Sequence, residues 1–297
     1  MRNIFILVLF ISLFFSCKNS EEASINDSDI VKLEELLKTD SSQQNKIALI
    51  GSIFKKGDEA SDAKQKETYF KYGIKACEKY SMNNEKQAFT LALINCCYDS
   101  AETPERLTEV IKSLKSDGKK EVAMVIERSM AKNFPNAPQV SSLSEESKTL
   151  NVDDFIKSLG VEALGGEGAD SINEEAGRKY VDVCEAMSIG DPNNEKTPDY
   201  LFKGGEMARS LGTPEKALTL YMLISRKYPK NSHAAESTFM SGFILDSTFG
   251  NKEKAAEYYK KFVDNYPNDD LVKDAKFLLK NIDKTDAELI EELSKKK

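Results

Sequence analysis

The sequence contains no tryptophan, a single histidine, five cysteines and only eight prolines among 297 residues. Each scarcity removes a class of chemistry. One histidine, His233, leaves no His pair, and no Cys-x-x-Cys occurs, so the usual zinc ligand sets are missing. Neither Gly-x-Ser-x-Gly nor His-Glu-x-x-His is present, so no nucleophile elbow and no zinc-protease helix is encoded. Basic residues are outnumbered, 42 Lys and Arg against 49 Asp and Glu, for a net charge of −7. Nucleic-acid binding wants a basic footprint, and this chain lacks one. The only long apolar run is Ile4–Phe15, twelve residues with one Ser. A bilayer span needs about 20.

The cysteines do not pair easily. If Cys77 and Cys96 lie on antiparallel helices joined near Met82, their distances from the turn differ by nine residues. At ~1.5 Å per residue that offsets them by about 13 Å, against the roughly 7 Å a disulfide tolerates between Cα atoms. Cys96 and Cys97 are adjacent and face different sides of a helix. Buried thiols are expected here and at Cys184.

The apolar run follows a short start, Met1-Arg2-Asn3, and is followed by Ser16 and Cys17. Its length and flanks fit a secretory signal peptide rather than a membrane span. The small residue immediately before a cysteine resembles the lipobox of bacterial lipoproteins, with Phe14 where Leu is usual, a Phe-rich form like those of the Bacteroidetes. The resemblance implies cleavage after residue 16, lipidation of Cys17 and a membrane anchor. Residues 17–28 then read as a polar tether. Asp, the inner-membrane retention residue of such proteins, does not follow the Cys, so the resemblance implies the outer membrane.

What remains is rich in Leu, Ala, Lys and Glu and should be mostly helical. Repeats appear in the C-terminal third. Ala217, Tyr221, Tyr228 and Pro229 recur 38 residues later as Ala255, Tyr259, Tyr266 and Pro267. Upstream of each set lies a segment with Gly205 or Gly242. Small residues at Gly205, Ala208 and Ala217 permit close helix approach, and Tyr221 with Ile224 share a helical face. Pro229 and Pro267 end helices. Thr213-Pro214-Glu215 reads as a helix start with Thr as N-cap, and Thr103-Pro104 and Thr197-Pro198 repeat it. Gly212 and Gly250 read as C-terminal caps. A weaker half-unit precedes these, with Tyr180, Cys184 and Pro192. Laid together, Leu201, Gly205, Ala208, Ala217, Tyr221, Ile224 and Pro229 resemble the tetratricopeptide repeat.

The N-terminal half echoes this faintly: Phe70-Lys71-Tyr72-Gly73 with Ala76 parallels Phe202-Lys203-Gly204-Gly205 with Ala208. Helices are predicted near 29–38, 43–56, 61–80, 84–99, 104–116 and 119–133. The expected fold is all-α, a tetratricopeptide-like solenoid of helical hairpins in two halves. Its segments are a signal peptide (1–16), a lipidated tether (17–28), degenerate repeats (29–135), a linker with one short helix near 152–159 (136–171), tetratricopeptide repeats (172–284) and a polar capping helix and tail (285–297). The linker reads as a hinge because of Ser141-Ser142-Leu143-Ser144 and Gly165-Gly166-Glu167-Gly168. That glycine cluster lacks the strand and Gly-Lys-Ser/Thr of a phosphate loop. Asp153-Asp154 reads as the acidic start of a helix, and His233 as a surface residue.

No catalytic, cofactor or metal residues are expected, and the chain reads as a non-enzyme. The resemblance implies that the first helix of each hairpin lines a binding groove, which assigns Phe202, Glu206, Arg209, Phe239, Phe243 and Asp246 to protein contact. The expected function is a membrane-anchored adaptor of the bacterial cell envelope whose partners are envelope proteins rather than nucleic acid. The C-terminal hundred residues, with their Tyr-Pro helix ends and Gly-Asn turn, are similar to the accessory lipoprotein of the outer-membrane barrel-assembly machine and to the periplasmic Tol–Pal coordinator, which implies an outer-membrane assembly complex as partner. The competing expectation is a surface lipoprotein that captures nutrients or glycans, a role that calls for exposed aromatics including Trp.

Overall fold

A computed structural model describes residues 25, 27–165, 171–284 and 288. The signal peptide, Cys17, most of the tether, Gly166-Glu167-Gly168 and nearly all of the capping helix and tail therefore lie outside the described residues. Among the described residues there is no strand, and no helix is long and apolar enough to cross a membrane. The chain divides into two compact units, one ending at Phe89 and the other starting at Thr90.

The first unit contains α1 (Ser28–Thr39), α2 (Gln43–Glu59), α3 (Ala63–Tyr80) and the first turns of α4 (Asn83–Cys96). Asp27, Ser42 and Asp62 cap the first three helices by accepting backbone N–H bonds, which satisfies donors that a helix start leaves open. Ser81 ends α3 in the left-handed region, at φ 58°, a role usually given to glycine. Ile30, Leu49, Ile53, Phe70 and Phe89 are fully or nearly fully buried. Phe54, Phe70 and Phe89 form a ring cluster, with centroids 5.2 Å apart for Phe54–Phe89 and 5.6 Å for Phe54–Phe70.

The second unit continues with α5 (Thr103–Ser116), α6 (Lys120–Asn133), a short 3-10 helix (Pro138–Ser142), α7 (Glu145–Thr149), α8 (Val152–Ala163) and α9 (Glu174–Gly190). Then come α10 (Thr197–Ser210), α11 (Pro214–Lys227), α12 (Ala234–Ser247), α13 (Lys252–Asn265) and α14 (Val272–Lys280). Each helix from α9 to α14 packs on the next, and α9 packs directly on α6. Residues 134–173 are thus an insertion between two helices that touch each other. They read as a hinge in the sequence, and the structure differs. Ile156, Leu159 and Ala163 of α8 are buried in the same core as α6, α9 and α10. The insertion is also held by polar contacts. Glu127, 3% exposed, accepts from Ser147 Oγ at 2.6 Å and from Lys115 Nζ at 2.6 Å, which satisfies a carboxylate that burial would otherwise penalise. Asp153 accepts from the Tyr200 hydroxyl and pairs with Lys196. The Lys196 contact, then Tyr200, holds its pKa below the usual carboxylate range.

The helix starts at Thr-Pro differ from their sequence reading. Thr213 does stand at the N-cap of α11, yet its hydroxyl donates backwards to the Ala208 carbonyl at 2.9 Å. Thr103 and Thr197 lie one position inside their helices and donate to Cys97 O at 3.2 Å and Asp191 O at 2.8 Å. These threonines close the end of the preceding segment instead of opening their own helix. Gly212 and Gly250 take φ values of 66° and 61°, the left-handed caps that a side chain would strain. No disulfide joins the four cysteines beyond Cys17; Cys77 and Cys184 are buried, and Cys96 and Cys97 are half-buried. Burial pushes Cys77 up to about 11 and Cys184 up to about 12, so neither is a ready nucleophile.

Candidate protein-interaction groove

The candidate site is built on α10 and α12, the first helices of two consecutive hairpins. Along α10, Phe202, Glu206 and Arg209 stand at i, i+4 and i+7, and along α12 so do Phe239, Phe243 and Asp246. That spacing places each trio on one stripe of its helix. The hairpins hold the stripes in place by close packing. A Cβ on Gly205 would stand 2.7 Å from a ring carbon of Tyr221, and one on Gly242 would stand 2.9 Å from Tyr259. Both rings are therefore seated against bare helix backbone. Ala217 and Ala255, on the facing helices, are fully buried. Repeat is latched to repeat at the far end. Tyr228 Oη donates to the Pro192 carbonyl at 2.9 Å, and Tyr266 Oη donates to the Pro229 carbonyl at 3.2 Å. This regular step carries the half-unit ending at Pro192 into the same stack.

Each stripe divides in two. Its first turn faces inward. Phe239 is 9% exposed and sits among Tyr259 and Phe262, with centroids at 5.9 and 5.6 Å. Phe202 is half-buried, stacked on the His233 ring at 4.2 Å and tilted against Tyr221. The tetratricopeptide resemblance implies partner contact for Phe239, but the ring belongs to the core, because α13 offers two aromatic rings to cover it. The later turns face outward. Phe243 is 40% exposed. Glu206 accepts from the Tyr221 hydroxyl and pairs with Arg209 at 3.2 Å, with both charged side chains close to half exposed. Asp246 is half-buried beside the Tyr259 phenol. Burial and that carboxylate together push the phenol's pKa up, as burial and Glu206 do for Tyr221. The outer turns thus present one exposed ring and a half-buried carboxylate on α12 and an exposed carboxylate–guanidinium pair on α10, without a nucleophile–base pair.

Sequence reasoning missed His233. It stands at the N-cap position of α12, stacks on Phe202 and lies 3.5 Å from Asp199, so it joins the first turns of α10 and α12. The signal was available: the single imidazole of the chain sits at a helix start, directly behind the Pro229-Lys230-Asn231-Ser232 turn. Among the described residues, no group of three His, Cys, Asp or Glu side chains is placed to hold a metal ion.

The tetratricopeptide repeat family model matches residues 236–269, which takes in α12 from Glu236 on, α13 and the Tyr266-Pro267 end. No curated protein matches the chain. The match and the hairpin packing identify this region as tetratricopeptide-like, a scaffold architecture used for protein–protein contact.

Proposed function

We propose that the chain is a lipid-anchored adaptor of the bacterial cell envelope, tethered to the outer membrane through Cys17 and binding envelope proteins through the outer turns of α10 and α12. The observation that carries the binding role is the divided stripe. Two consecutive first helices turn their leading aromatic toward neighbouring rings, Phe239 buried and Phe202 half-buried, and leave Glu206, Arg209 and Phe243 exposed with Asp246 half-buried. Aromatic and Arg side chains are the usual anchors of protein interfaces. The anchor rests on the sequence alone, on a cysteine placed directly behind Ser16 and a twelve-residue apolar run. The accessory lipoprotein of barrel assembly and the Tol–Pal coordinator supply the type of partner this reading expects, a component of an outer-membrane assembly complex.

Two measurements test the two halves of the reading. Cross-linking pull-downs from membranes should recover a partner set with the parent chain and lose it with Phe243→Ala, at unchanged melting temperature. Recovery of the same set by the variant removes the groove. Separately, Cys17→Ser should abolish labelling by a fatty-acid probe and leave the protein unprocessed or released from membranes. Labelling that persists removes the lipid anchor.

A further inference from the structure

A second groove lies wholly within the first unit. Ile47, Ile50, Gly51, Phe54, Lys55, Asp58 and Glu59 of α2 line one side, and Glu85, Ala88 and Phe89 of α4 line the other, enclosing about 420 Å³. That volume falls in the usual range for ligand pockets, roughly 300–1,000 Å³. Its floor is apolar: Phe89 and Ile50 are buried, Phe54 is half-buried and Ile47 is 53% exposed. From Ile47 to Asp58 the lining follows one face of α2 for about 16 Å, or three helical turns.

Gly51 is the informative residue. Glycine inside a helix is about 1 kcal/mol less favourable than alanine. The other glycine of α2, Gly57, has a packing reason, since a Cβ there would stand 2.4 Å from the Phe70 ring. Gly51 has none: a Cβ would meet nothing within 4 Å. What the missing side chain keeps open is the groove itself.

We propose that this groove is a second docking site, and that it takes an amphipathic helical segment of a partner protein whose apolar face is bordered by lysine or arginine. The helix shape follows from the groove's length, which matches apolar anchors at i, i+4 and i+7, about 10 Å apart end to end. The charge of the partner follows from the rim. Among the lining residues Asp58, Glu59 and Glu85 outnumber Lys55, which itself lies 3.8 Å from Glu59, and Lys66 Nζ reaches the Asp58 carbonyl at 2.6 Å. A fatty acid or other anionic amphiphile would meet repulsion at this rim. The site is independent of the α10–α12 surface and of the lipid anchor.

The probe is a fluorescent synthetic helix with leucines at i, i+4 and i+7 and flanking lysines, titrated into the full chain and followed by anisotropy. Binding should weaken at least about tenfold in Gly51→Leu, which fills the groove, and in Ile47→Asp, which removes an exposed apolar wall. Both should melt no lower than the parent. Glu85→Lys should weaken binding severalfold, with the difference shrinking in high salt. Equal binding by parent and by Ile47→Asp overturns the proposal. So does equal binding of a helix flanked by glutamates, saturation by oleate where the basic helix fails to bind, or self-association of the chain as the sole event that Gly51→Leu disturbs.

Discussion

In the hairpin α3–α4, Gly73 receives the ring of Phe89, and in α10–α11 Gly205 receives the ring of Tyr221, sixteen residues on in both cases. The contact is the same and the chemistry around it differs. Phe89 has no hydroxyl and packs with Phe54 and Phe70. Tyr221 has one and spends it on Glu206 at the surface, while Tyr228 and Tyr266 add carbonyl latches between repeats. A ring seated on bare backbone is thus what closes a hairpin in either unit. The polar additions are what set repeat against repeat in the second. The family model matches residues 236–269, and α3–α4 carries the closing contact outside that match.

The largest effect that would sharpen this comparison is loss of the ring. Phe89→Ala and Tyr221→Ala should each cost about 3–5 kcal/mol, as large-to-small core changes do. The smaller first unit has less core to absorb the loss. Limited proteolysis of Phe89→Ala should therefore cut before residue 90 and spare the remainder, and Tyr221→Ala should not expose the first unit. Cleavage spread evenly through both units in Phe89→Ala would break the division at Phe89.

Next comes the seat rather than the ring. A Cβ on Gly73 would lie 2.2 Å from Phe89 and one on Gly205 2.7 Å from Tyr221. Overpacking of this kind costs typically 1–3 kcal/mol, partly offset by about 1 kcal/mol of helix propensity. Gly73→Ala should destabilise more than Gly205→Ala in denaturant titrations, and Gly51→Ala should stabilise, because its Cβ meets nothing. If all three alanines stabilise alike, the glycines are not seats.

Much of this was legible in the chain. The six N-terminal helices fall within a few residues of their expected positions, because Asp27, Ser42, Asp62 and the Gly118 turn punctuate them. The Tyr-Pro ends and the buried Ala217 and Ala255 stand where the repeat pattern put them. Three things were not legible, each for a physical reason. Ser-rich and Gly-rich composition marks 136–171 as loop, but Ser147 and Asp153 find buried or charged partners through tertiary contact only. Thr at a helix start signals an N-cap, and propensity is silent on a hydroxyl that donates to the preceding segment instead. Spacing put Phe239 and Phe243 on one stripe, and only the rings of Tyr259 and Phe262 decide which of the two is covered.

A smaller effect separates the second unit by pH. Lys227 Nζ donates to Asn95 Oδ1 at 2.9 Å, and burial, aided by the like charge of Arg226, lowers its pKa to about 8. Between about pH 8 and the ordinary value of 10.5 the unfolded chain therefore binds more protons at this site than the folded one, so stability contributed here rises with pH. Above about pH 10 the buried tyrosines act in the opposite sense, since an unfolded phenol ionises first. Denaturation of the parent should show greater stability at pH 9.5 than at pH 8, relative to Lys227→Met. A parallel course of the two proteins over that window would show that Lys227 is charged throughout.

The smallest stability effect is expected at Arg209, and there the comparison between scaffold and site is sharpest. Its guanidinium pairs with Glu206 at 3.2 Å with both side chains close to half exposed, and exposed i,i+3 pairs of this kind contribute about 0.2–0.5 kcal/mol. Arg209→Ala should thus leave the melting curve within about 0.5 kcal/mol of the parent. Ala217→Leu, at a fully buried helix contact, should lower it by the usual 1–3 kcal/mol of overpacking. In membrane pull-downs the two variants should look alike, since one removes an anchor and the other moves the helix that presents it. A chain that binds normally with Arg209→Ala would confine the partner surface to Phe243 and Asp246 on α12. If Arg209→Ala instead melts well below the parent, the guanidinium is holding Glu206 against Tyr221, and the residue belongs to the hairpin rather than to the groove.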